Sequence, residues 1–71
     1  MSQLALREID GLLRRVEAEY REMPGLSLTA AQAQRIWGID GPTCDEILTE
    51  LTSHRFLRRT HRGTYVRQSA A

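Results

Sequence analysis

The sequence predicts a mostly helical α+β domain: three helices, then a short C-terminal β-hairpin. Three observations predict it. Apolar residues recur at three- and four-residue spacing over residues 6–23, 33–37 and 44–51. The turn-forming runs Pro24-Gly25 and Asp40-Gly41-Pro42 separate those stretches. Beyond residue 55 the helical spacing stops, and FLRRT and TYVR, rich in strand-favouring residues, flank His61-Arg62-Gly63.

The first helix is expected over Gln3 to Met23, with Leu6, Ile9, Leu12, Leu13, Val16, Tyr20 and Met23 on one face. Asp10 and Glu17 stand four residues before Arg14 and Arg21, the favourable order for helical ion pairs. Gly11 weakens the interior, and Pro24-Gly25 ends the helix. Its length leaves apolar surface that a second copy could cover, so a homodimer through the first helix is an expected option. Leu26-Ser27-Leu28 alternates and reads as a very short strand.

Thr29 opens the second helix, because Thr29-Ala30-Ala31-Gln32 has capping-box spacing. Ala33, Ile36 and Trp37 form its inner face, Gly38 takes the left-handed closing position, and Ile39 packs under the turn. The third helix starts near Pro42 or Thr43 and ends near His54-Arg55. Cys44, Ile47, Leu48 and Leu51 face inward, which leaves Thr43, Asp45, Glu46, Thr49 and Glu50 outward. Gly63 supplies the positive φ that a tight hairpin needs, and the tail from Gln68 to Ala71 is expected to fray.

Seventy-one residues make one domain with a modest core. No apolar run approaches the roughly 20 residues that cross a bilayer, and MSQLALREID lacks a signal-peptide pattern, so a cytoplasmic protein is expected. Cys44 is the only cysteine, which excludes an internal disulfide and a thiolate metal cluster. The net charge of +1 hides an asymmetry: residues 51–71 hold Arg55, Arg58, Arg59, Arg62 and Arg67 and no acid. Residues 1–50 hold five Arg and nine acids. The basic block is a candidate footprint for a polyanion, set against the plainer reading of a solvated surface.

Catalysis, metal binding and cofactors find no support in the residues, and no enzyme is expected. Cys44 lies on an inward helix face, as a small buried group does. His54 and His61 have no carboxylate or second ligand at metal spacing. GIDG is not a phosphate loop. Trp37 reads as a core anchor joined by Tyr20 and Phe56, while Tyr65 fits either core or surface.

From Leu28 to Arg67, about 40 of the 71 residues, the chain resembles the winged helix-turn-helix domains of bacterial transcription regulators. The run LTAAQAQRIWGIDGPTCDEILTELTSHRFLRRT carries the resemblance. Thr29 opens and Gly38-Ile39 closes the first helix of the motif, Pro42-Thr43 starts the second, and Phe56-Leu57 leads into the wing. The resemblance implies a single winged-helix domain over residues 1–71: a long first helix to residue 25, a helix-turn-helix over 26–55, a wing over 56–67 and a short tail. It also implies double-stranded DNA as partner, met by the third helix and the basic wing.

Two positions depart from the family. Arg55 stands where glycine usually precedes the wing, so it either adopts a left-handed conformation or ends the helix differently. Asp45 and Glu46 stand where basic or neutral polar residues are common. A carboxylate can accept from the cytosine amino group; the helix dipole is the alternative reason for both acids. The expected DNA contacts are Arg58, Arg59 and Arg62 on the hairpin, Arg35 late on the second helix, and Thr29 and Thr43 at helix starts. Thr43, Asp45, Glu46 and Thr49 are the expected base or sugar contacts. The alternative is a winged-helix protein-interaction module whose Asp45, Glu46 and Glu50 meet a basic protein partner, with no specific DNA binding.

Overall fold

The computed structural model describes residues 6–68, the side chains from residue 9 onward. The expected helix start at Gln3, the side chain of Leu6 and the tail residues Ser69 to Ala71 lie outside them. The fold is α+β and mostly helical. Its elements are α1 (Leu6–Glu22), β1 (Ser27–Thr29), α2 (Ala30–Trp37), α3 (Gly41–Ser53), β2 (Leu57–Arg59) and β3 (Thr64–Arg67). The strands form one antiparallel sheet in the order β1-β3-β2. No helix among the described residues is long and apolar enough to cross a membrane.

The amphipathic stripe of α1 buries Val16 and Tyr20 completely, with Leu12 and Leu13 packed partly against the core. The stripe stops earlier than expected. Met23 falls past the last helical turn and is 52% exposed, in a reversal closed by Leu26 N–H donating to the Met23 carbonyl at 2.9 Å. Asp10 and Arg14 form the expected ion pair at 3.2 Å, but Arg21 lies 5.5 Å from the Phe56 ring centroid instead of pairing with Glu17. Arg67 reaches the same ring at 5.1 Å. Phe56 also meets Tyr20 edge-on, with centroids 6.5 Å apart.

α2 is set by its ends. Thr29 Oγ1 accepts from Gln32 N–H at 3.1 Å and Gln32 Oε1 accepts from Thr29 N–H at 2.9 Å, the full reciprocal box. Gly38, at φ 62°, closes the helix, and Ile39 N–H donates to Gln34 O at 3.2 Å. Ala33 and Trp37, one turn apart, define the inward face, which leaves Ile36 53% exposed rather than inside. Trp37 anchors α2 to α1, its indole N–H donating to Glu19 Oε1 at 3.2 Å.

α3 begins at Gly41, capped by Asp40, whose Oδ2 accepts from Thr43 N–H at 3.3 Å. Cys44, Ile47, Leu48 and Leu51 are buried as a face, and the Cys44 thiol donates to Ala30 O at 3.6 Å. Desolvation raises the Cys44 pKa. The helix closes on Arg55 at φ 61°, with Phe56 N–H donating to Leu51 O at 2.9 Å. Of the two endings open to Arg55, the left-handed one is taken. Arg55→Gly should therefore stabilise the domain by about 0.5–1 kcal/mol, the relief of left-handed strain less glycine's extra unfolded-state freedom. Urea denaturation checks it; an unchanged or lower midpoint would show no strain at this position.

Candidate nucleic-acid interface

Sheet register decides which arginines share a surface. Leu57 is fully buried and pairs with Arg67, Arg58 pairs with Val66, and Arg59 pairs with Tyr65. Residues directly opposite share a face, and neighbours along a strand alternate. Leu28, Leu57, Arg59, Tyr65 and Arg67 thus lie on the side that carries the core. Ser27, Thr29, Arg58, Thr64 and Val66 lie on the other. Arg58 and Arg59, both expected to contact DNA, lie on opposite faces of the sheet. Inward-facing Leu57 in FLRRT was the signal for this split.

Arg59 is well placed. It lines a groove of about 250 Å³ together with Thr49, Thr52 and Ser53 of α3 and Tyr65 of β3. Its Nη2 lies beside Gly63, 3.9 Å from where a Cβ would stand. The hairpin tip is ordered by Thr60, whose carbonyl accepts from Gly63 N–H at 3.0 Å and whose Oγ1 accepts from Arg62 N–H at 3.3 Å. The Thr60 and Thr64 hydroxyls bond at 2.7 Å. Gly63 takes φ 83°, as a tight turn requires, and Arg62 is exposed at the tip. Below the hairpin, the Tyr20 hydroxyl donates to the Tyr65 carbonyl at 2.8 Å, tying β3 to α1. Desolvation pushes the Tyr20 phenol up to about 12, so it is a fixed donor at neutral pH.

The third helix presents less than expected. Thr43, anticipated outside, is fully buried, and its hydroxyl donates to Asp40 Oδ1 at 2.6 Å. The helix starts two residues before Thr43, which turns that side chain back onto the cap and removes it as an external contact. Asp45, Glu46 and Thr49 are exposed. The first turn of α3 contains no acid. Asp45 and Glu46 lie beyond it, where the dipole has faded, and Asp40 is the acid that meets the helix N-terminus.

Thr29 is half-buried and its oxygen serves the α2 cap, while Arg35 is exposed in the last turn of α2. Glu50 is exposed and has a partner that the sequence reading overlooked: His54 Nε2 lies 2.9 Å from Glu50 Oε2, an i,i+4 pair. Among the described residues no group of three His, Cys, Asp or Glu is placed to hold a metal ion. None of Arg35, Arg55, Arg58, Arg59 or Arg62 forms an ion pair among the described residues. Thr52, Ser53 and Tyr65 join the groove without having been singled out as contacts; the i, i+3, i+4 spacing of Thr49, Thr52 and Ser53 was the available signal.

The Asp40 cap carries a pH signature. The hydroxyl bond from Thr43, first, and the backbone bonds hold the Asp40 carboxyl below the ordinary carboxylate range. A lowered folded pKa contributes stability that is present above the unfolded value of about 3.9 and lost as pH falls through the folded value. Asp40→Asn keeps a capping oxygen but removes the titration. Its acid denaturation curve should fall less steeply than wild type below about pH 4; superimposable acid limbs would deny the linkage. No family model matches this chain, and comparison with curated proteins and with solved structures finds no match either.

Proposed function

We propose that this chain is a small winged-helix DNA-binding protein, a cytoplasmic transcription regulator of bacterial type that meets duplex DNA with α3 and the β2–β3 hairpin. The observation that carries the reading is the shared groove: Arg59 from the hairpin and Thr49 from the exposed side of α3 line one surface. An unpaired guanidinium beside a helix that exposes polar side chains suits a surface of phosphates flanking base edges. Arg62 extends that surface from the tip, where narrow minor grooves concentrate negative potential. The protein acts by binding, without a cofactor or catalytic step. Two copies, paired along α1 where Ile9, Leu12 and Leu13 remain half-buried, would read a palindromic site.

Three arginines, Arg35, Arg59 and Arg62, then neutralise phosphates, and the logarithm of affinity should fall with the logarithm of salt at a slope of about −3 per copy. A salt-titrated retardation assay on a random duplex pool, followed by site selection, tests this. A flat salt response, or no retarded duplex at low salt, defeats the reading.

One observation favours a second reading, a protein-interaction module. Asp45 and Glu46 are exposed beyond the first turn of α3, so the dipole does not account for them. A basic partner would. Reversing both charges abolishes such a contact and leaves hairpin-driven DNA retardation in place, whereas a base-reading role predicts a changed site preference.

A further inference from the structure

We infer that the groove between α3 and the hairpin is a seat for one backbone phosphate of duplex DNA. This deepens the DNA reading and rests on it. The argument starts from what lines the groove: Thr49, Thr52, Ser53, Arg59 and Tyr65, with no carboxylate among them. Asp45 stands one turn before Thr49 but outside the lining, and Glu50 is engaged by His54. Most of the groove's surface is apolar; the polar groups on it are hydrogen-bond donors and one positive charge, the chemistry of an anion site.

The donors can be separated by what each already does. Thr52 Oγ1 donates to Leu48 O at 2.7 Å, so its proton is committed within the helix. Thr49 and Ser53 are exposed, one turn apart, and their hydroxyls are left to donate. Arg59 supplies the charge, at the edge of the hairpin turn. Tyr65 stands directly opposite it on β3, and Gly63 lies beside its Nη2. The Tyr65 backbone is itself held by the Tyr20 hydroxyl. Arg59 is exposed and forms no ion pair among the described residues, and its planar fork matches two phosphate oxygens.

The consequence is a division of labour along α3. Its C-terminal half, with Thr49 and Ser53, grips the strand irrespective of sequence. Asp45 and Glu46, a turn earlier, are the residues left to discriminate bases.

The test uses the intact chain and two probes: a duplex taken from the selected pool, and inorganic phosphate alone. The readouts are affinity and the Arg59 side-chain Nε–Hε resonance in nitrogen-15 spectra. A Thr49→Val, Ser53→Ala double variant should bind duplex about tenfold more weakly, the effect of two modest hydrogen bonds. The loss should be the same for every duplex sequence, with an unchanged salt slope because no charge is removed. Both sites are exposed, and an unaltered thermal melt confirms the fold. Phosphate at millimolar concentration should shift the Arg59 resonance saturably in wild type and less in the variant.

If no duplex is retarded but phosphate still moves Arg59, the DNA reading fails and the anion seat survives it. If duplex binds while Arg59 stays silent with both probes, or the double variant binds like wild type, the seat is wrong and the DNA reading survives. A changed base preference in the double variant also overturns the seat, since it would make Thr49 or Ser53 a base reader.

Discussion

Tyr20→Ala is expected to lower stability by about 3–5 kcal/mol, the range for emptying a large aromatic site, and so to unfold much of the population of a small domain. Tyr20 is fully buried, meets Phe56 edge-on and donates to the Tyr65 carbonyl. One side chain thus joins α1, the connection between α3 and β2, and the central strand. Tyr20→Phe separates the terms: the ring and its packing remain, and only the bond to Tyr65 is lost, at about 1–2 kcal/mol. The same variant changes the alkaline limb. A phenol raised to about 12 contributes stability present below its unfolded pKa near 10, lost as pH rises through the folded value. Urea melts at neutral pH and at pH about 11 measure both effects. A phenylalanine variant as stable as wild type, with the same alkaline response, would mean that the bond to Tyr65 has no net value.

The second large effect is on binding. Arg59→Ala and Arg62→Ala should each weaken duplex affinity about five- to tenfold near 0.1 M salt and make the salt slope shallower by about 0.9, uniformly across sequences. Arg58→Ala should weaken affinity clearly less than Arg59→Ala does, because Arg58 lies on the other face of the sheet. The contrast depends only on strand alternation, which sends neighbouring arginines to opposite faces of the sheet. Equal losses at Arg58 and Arg59 would mean that DNA does not approach from the α3 side.

Much of this architecture was legible because it is local. The box between Thr29 and Gln32, the left-handed close at Gly38 and the hairpin turn at Gly63 involve residues a few positions apart, and each appears where the sequence suggests. The burial of Cys44, Ile47, Leu48 and Leu51 follows in the same way from helical spacing.

The misreadings share a different cause. Thr43 turned inward because Asp40 claimed its hydroxyl and moved the helix start. Ile36 turned outward because Trp37 took the inward position and bonded to Glu19, eighteen residues away. Met23 escaped the stripe because the helix ended first. The groove could not be read from either of its walls alone: Thr49 and Ser53 come from one element and Arg59 and Tyr65 from two others. The face of the sheet that Arg58 occupies follows from the buried Leu57 beside it.

The strand order β1-β3-β2 has a consequence for biogenesis. The strand made last of the three is the middle one of the sheet, and β1 and β2 pair with it rather than with each other. Until residues 64–67 emerge from the exit tunnel, β1 and β2 wait with unmet backbone groups. A chain cut short after Gly63 therefore has two strands and no partner for either.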